Sequence, residues 1–119
     1  MPWELDSDRP IYAQIVDRLK HEIVSGFYPP GSRLPSVRDL AAQASVNPNT
    51  MQKAFTELER TGLIVTRRTS GRTVTEDTAL IEQVRSELQI SQFLTRMQHL
   101  GYQKDDSIRL LLAKKEEIS

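Results

Sequence analysis

Asn49, Gln52, Lys53 and Thr56 stand at spacings i, i+3, i+4 and i+7, which places them on one face of any helix that contains them. Their chemistry suits the edges of base pairs. Asn and Gln can pair bidentately with adenine, and Lys can reach guanine or a phosphate. Met51, Phe55 and Leu58 fall on the opposite face and would anchor the helix in a core. Thr50 and the helix N-terminus suit a phosphate oxygen. Upstream, Arg38 is placed for a phosphate or a base edge. Downstream, Arg67, Arg68 and Arg72 flank Ser70-Gly71. Glycine lets a backbone approach a phosphate or enter a minor groove, and arginine favours that negative potential. Each feature alone has a plainer explanation. A polar helix face is ordinarily solvated surface, and a charged hairpin edge guards against aggregation. Their order along the chain favours DNA.

Other chemistries lack their residues. The 119-residue chain has no cysteine, so disulfides and thiolate metal sites are excluded. His21 and His99 are far apart and have no metal-ligand spacing around them. There is no Gly-rich phosphate loop and no usable Ser/His/Asp set, so no enzyme, metal or cofactor is expected. The first residues, MPWELDSDRP, are acidic and unlike a signal peptide. No apolar run approaches the roughly 20 residues of a membrane helix. A cytoplasmic protein without membrane contact is the expectation. Trp3, Phe27 and Tyr28 read as padding for the N-terminal side of a small core.

The formal net charge is zero, but its distribution is uneven. Arg33 to Arg72 holds seven basic residues and three acidic ones, a net +4. The remainder is −4. A basic module in a neutral chain can still serve as an electrostatic footprint on phosphate.

The elements that must position these groups follow from caps and periodicity. Pro10 suits a first helical turn, and Ile11, Ile15, Leu19 and Ile23 with Tyr12 and Val16 give an amphipathic helix ended by Ser25-Gly26. The segment from Phe27 to Pro35, with three prolines and Gly31, predicts a loop. Ser36 and Asp39 fit a capping box before a short helix whose inner face is Val37, Leu40 and Ala41. Ala44-Ser45-Val46 is the turn, with Val46 buried beneath it. Asn47 caps the next helix and Pro48 begins it; Thr61-Gly62 ends it. Two β-prone runs, 63–67 and 72–75, join through Arg68-Thr69-Ser70-Gly71 as a hairpin with a glycine tip. Helix returns from Thr78 to Gly101 and again over about 105–117.

The expected fold is mainly α with a small β-wing. A winged helix-turn-helix over 1–76 is followed by a two-helix C-terminal dimerisation appendage over 77–119. DNA contact is expected from Arg38, Asn47, Pro48, Asn49, Thr50, Gln52, Lys53, Arg67, Arg68, Ser70, Gly71 and Arg72. Ile81, Val84, Leu88, Phe93, Leu94, Met97 and Leu100 form an apolar stripe, joined by Ile108, Leu111 and Leu112. Two helices cannot enclose a drug-sized pocket, and an uncovered stripe would risk aggregation. A two-fold interface is therefore expected: the long helix packs on its symmetry mate and the last helix clasps across. The competing arrangement folds both helices back onto their own winged domain.

The run from Pro10 to Ile64, with its P-I-Y start, G-x-x-L-P-S-x-R-x-L-A stretch and V-N-P-N-T cap, resembles the DNA-binding domain of GntR-type bacterial regulators. The short tail, including FLTRMQHLGYQKDDSIRLLL, is similar to that of the YtrA-like subfamily. The resemblance implies a homodimer bound to operator DNA at an inverted repeat, usually as a repressor. By motif position it carries DNA contact to Arg38, Asn47, Asn49, Thr50, Gln52 and Gly71. Gln52 stands where many relatives are basic, and Thr69-Ser70-Gly71 where the wing often reads Gly-Lys-Gly. A small-molecule effector is not specified. The alternative function is a winged-helix module that binds proteins and not DNA.

Overall fold

Five helices and one hairpin make up the chain in the computed structural model, which describes residues 3–118. The outermost residues of both expected segments, 1, 2 and 119, lie outside the described residues. α1 covers Ile11–Val24, with Pro10 as its N-cap residue. It buries Gln14, Ile15, Val16, Leu19 and Ile23, one face of a regular 3.6-residue period. The Gln14 amide accepts from the Asp6 backbone N–H and donates to the carbonyls of Asp6 and Arg9, which ties the preceding segment down. α2 covers Val37–Ala44, and the Ser36 hydroxyl accepts the Asp39 N–H at 3.1 Å. That is the forward half of the expected capping box. Among the described residues no return bond from Asp39 completes it. α3 covers Pro48–Arg60, and Asn47 Oδ1 accepts the Asn49 N–H at 2.7 Å.

Between α2 and α3, Ser45 takes the left-handed conformation at φ 58°. It is the one non-glycine residue with positive φ among those described, and it makes the turn tight. Val46 is half-buried rather than buried. α1 and α2 both pack on α3. At the centre, Met51, Ala54, Phe55, Leu58, Ile15 and Leu40 are fully buried. Each such large side chain stabilises by about 1.5–3 kcal/mol relative to exposure.

The hairpin pairs β1 (Ile64–Arg67) with β2 (Gly71–Val74), in register Ile64 to Val74 and Arg67 to Gly71. Two expectations change here. Gly71, at φ 72°, opens β2 instead of forming the tip, which consists of Arg68, Thr69 and Ser70. The segment before α2 is also not pure loop. Arg33 bridges Thr73, and N–H groups of Gly31, Leu34 and Val74 donate to the carbonyls of Val74, Arg72 and Ser32. β2 therefore has partners on both edges.

α4 covers Thr78–His99, and Asp77 Oδ1 caps it by accepting the Leu80 N–H. Gly101 at φ 97° ends it: its own N–H donates to Gln98 O, and the Tyr102 N–H to Met97 O. These two bonds are the Schellman pattern. α5 covers Lys104–Ile118. Asp106 reaches back to the Gln103 N–H at 3.1 Å and also pairs with Arg109.

The chain divides into two compact units, Met1–Val84 and Arg85–Ser119, with the boundary inside α4. Ile81 and Val84 are buried within a single copy of the chain. They offer little surface for the interface expected of them. Leu88, Phe93, Leu94 and Met97 are half-buried. Leu100 is 74% exposed, and Ile108, Leu111 and Leu112 are exposed. Phe27, at 70% exposure, does not pad the core. Its ring meets Tyr28 edge-on at 4.9 Å, while the half-buried Trp3 carries the Arg18 guanidinium 4.2 Å above its ring. No helix of the described residues is long and apolar enough to cross a membrane.

Candidate nucleic-acid interface

α3 presents Asn49, Gln52, Lys53 and Thr56 as exposed side chains, directly opposite the buried Met51, Phe55 and Leu58. Burial of one face thus fixes the rotation of the other. The Asn49 side chain has no hydrogen bond to other described residues, so its amide is free for a base edge. Asn47 is exposed, but its carbonyl oxygen is committed to the cap. Its NH₂ group and one lone pair on that oxygen remain available. Pro48 is exposed at the first helical position, where its missing N–H leaves no unpaired donor. Thr50 is half-buried and lines a hollow of about 360 Å³ with Trp3, Leu5 and Ile11.

The two remaining polar groups of the face lean apart. Lys53 Nζ sits 3.9 Å above the Tyr12 ring on α1, a cation–π contact. Gln52 turns toward the wing. Its Nε2 donates to Thr56 Oγ1 at 3.2 Å, and its Oε1 lies 3.4 Å from Arg72 Nη2.

Arg72 departs most from expectation. It is not a free wing cation: its Nε donates to Glu59 Oε1 at 2.7 Å, and its guanidinium lies 5.3 Å from the Phe55 ring centre. Arg60 is likewise paired, with Glu57. The Arg60 hydrogen bond holds the Glu57 carboxyl below its ordinary pKa and raises that of Arg60. Arg38, Arg67 and Arg68 remain exposed, with no ion-pair partner among the described residues. Arg72, by contrast, is held by Glu59.

Arg33 was not among the expected contacts, but the fold places it beside two of them, Gly71 and Arg72. It is exposed, and a Cβ at Gly71 would lie 3.7 Å from its Nε. Arg33, Tyr28, Ser36, Asp39, Gly71 and Arg72 line a cleft of about 500 Å³ beside the start of α2. Burial pushes the Tyr28 phenol above its ordinary pKa, Glu22 adds to the shift and Arg18 opposes it, so the hydroxyl stays protonated as a donor. The only available signal was the place of Arg33 at the edge of the basic island. Ser70 is half-buried in the wing turn.

The family model for bacterial regulatory proteins of the gntR family matches residues 11–74. The chain belongs to the GntR family. It is a DNA-binding regulator of transcription, and its relatives are regulators rather than enzymes. The HTH-type transcriptional repressor YtrA of Bacillus subtilis is 46% identical over 78 residues, covering 64% of this chain and 60% of that protein. The structure of a GntR family regulator from Listeria monocytogenes matches at TM-score 0.72 with 41% identity, covering 92% of this chain and 98% of that one. That match extends over both compact units, so this GntR protein shares the helical C-terminal region as well as the wing. The DNA-binding domain of AraR in complex with operator ORX1 matches at TM-score 0.53 and 26% identity, over 63% of this chain and 92% of that domain.

Proposed function

We propose that this GntR-family regulator is a sequence-specific repressor that binds an inverted-repeat operator as a homodimer in the cytoplasm. The observation that carries the reading is the α3 face: polar groups fully outward, held there by a fully buried opposite side. A helix so fixed fits the major groove. Asn49 and Gln52 read base edges, Asn47 adds a donor, and Lys53 reaches guanine or phosphate. Arg38, Thr50 with the start of α3, and the wing residues Arg67, Arg68, Ser70 and Gly71 position the protein on the backbone. The likeness to the repressor YtrA and to AraR bound to its operator supports the sign of regulation and the kind of site.

Leu88, Phe93, Leu94, Met97, Leu100, Ile108, Leu111 and Leu112 make the homodimer contact, because so much apolar surface needs a cover. Two recognition helices related by two-fold symmetry then meet half-sites one helical turn apart. The test is selection from random duplex DNA, then titration of the selected and scrambled duplexes across a salt series. The expected result is an inverted repeat bound by two copies, with Asn49→Ala losing discrimination and Arg68→Ala weakening every sequence alike. Equal binding to selected and scrambled DNA would leave the protein-binding alternative standing.

A further inference from the structure

We infer that Arg72 is a positioning residue for sequence reading: it sets which way the Gln52 amide faces on the recognition helix, without touching a base. The inference rests on the proposed DNA-reading role of α3.

Arg72 is held from two sides. Its ion pair with Glu59 is 2.7 Å long, and the two side chains are only 29% and 32% exposed. Phe55, over whose ring it lies, is fully buried. From that anchored position, Arg72 Nη2 faces Gln52 Oε1 at 3.4 Å. A guanidinium can only donate. At the other end of the amide, Thr56 Oγ1 gives its single proton to the backbone carbonyl of Gln52 at 3.0 Å. Toward the Gln52 side chain that hydroxyl can then only accept, and it accepts from Nε2 at 3.2 Å.

The Gln52 amide thus lies between a pure donor and a spent hydroxyl. Rotated by half a turn, it would oppose N–H to N–H at Arg72 and oxygen to oxygen at Thr56. One orientation survives. It leaves one lone pair on Oε1 and one N–H on Nε2, the two groups that adenine's N6 amino group and N7 require. Because Glu59 neutralises Arg72, the arginine adds little long-range attraction to phosphate. A phosphate contact and a positioning role therefore predict different salt behaviour.

The experiment repeats DNA selection with the full chain carrying Gln52→Ala, Arg72→Ala, Arg72→Lys or Glu59→Gln, with thermal melting to verify folding and salt titrations on the selected duplexes. Gln52→Ala is expected to lower the adenine preference about tenfold at one step of each half-site. Arg72→Ala lowers it at the same step several-fold, leaves other steps and the salt slope unchanged, and adds nothing in the double variant with Gln52→Ala. Arg72→Lys, which can satisfy Glu59 or Gln52 but not both, falls between, as does Glu59→Gln. Uniform weakening by Arg72→Ala, or a salt slope reduced by about one contact, overturns the inference. So does an unchanged adenine step in Gln52→Ala, although reading by Asn49 would stand. Should Arg72→Ala fail to fold, an intact preference in folded Arg72→Lys and Glu59→Gln overturns it equally. A wild-type chain that selects no motif removes the DNA-reading role itself, and this inference with it.

Discussion

The two compact units treat apolar residues in opposite ways. In the winged unit Ile15, Leu19, Ile23, Leu40, Met51, Phe55, Leu58, Leu63 and Ile64 are all essentially sealed from water. In the C-terminal unit Ile90, Leu100, Ile108, Leu110, Leu111 and Leu112 remain about half or more exposed. The first unit is complete in one copy. The second has helices with sound ends, a Schellman turn at Gly101 and a carboxylate at the start of α5, but no finished core. Good local chemistry makes helices; only burial makes a fold.

The sharpest test of that contrast compares Phe55→Ala with Leu111→Ala in urea denaturation of dilute protein. Phe55→Ala is expected to cost about 3–5 kcal/mol. Leu111→Ala is expected to cost less than about 1 kcal/mol, as for an exposed site. Equal costs would mean that α5 is already sealed in a single copy. Next in size, Leu111→Asp with Leu112→Asp should convert a dimer to a monomer in sedimentation. It should also lower affinity for a full inverted repeat about a hundredfold while sparing a single half-site. An unchanged sedimentation coefficient would move the interface elsewhere.

Within the winged unit, Ser36→Ala and Asn47→Ala remove one cap each and should each lower stability by about 1 kcal/mol, measured by thermal melting. The smallest effect belongs to Asp106. The Gln103 N–H first, and Arg109 second, hold its carboxyl below the ordinary value. A folded-state pKa so lowered contributes stability above the unfolded value, near pH 4, and that contribution is lost as pH falls through the lowered one. Asp106→Asn should therefore reduce α5 helicity slightly at neutral pH and make no difference in strong acid, followed by far-UV circular dichroism. A deficit that persists in acid would assign the loss to packing.

Legibility in the sequence followed the distance over which each feature is determined. Ser36, Asn47, Pro48 and Gly62 act within a few residues, so the caps and the limits of α2 and α3 were readable. The outward face of α3 was readable because Met51, Phe55 and Leu58 fix its rotation. The role of Arg72 was not, because its partners Glu59 and Gln52 lie thirteen and twenty residues away across the fold. Arg33 was hidden for the same reason, as its bridge to Thr73 spans the whole helix-turn-helix. The stripe on α4 reads as continuous from Ile81 to Leu100. Periodicity reports which residues share a face, not which part of that face the chain itself will cover.

The hairpin has one fixed strand and one loose margin. β2 is laced to the Gly31–Leu34 segment on one side and to β1 on the other, whereas β1 has no second strand on its other edge among the described residues. Amide exchange at Leu34 and Val74 should thus be slow, and outward N–H groups of β1 and the 68–70 tip should exchange orders of magnitude faster. Arg67 and Arg68 ride the fast margin; Arg72 sits on the slow strand. The wing can yield to grooves of differing width at its rim while β2, whose Arg72 side chain reaches Glu59 and Gln52 on the recognition helix, keeps its register.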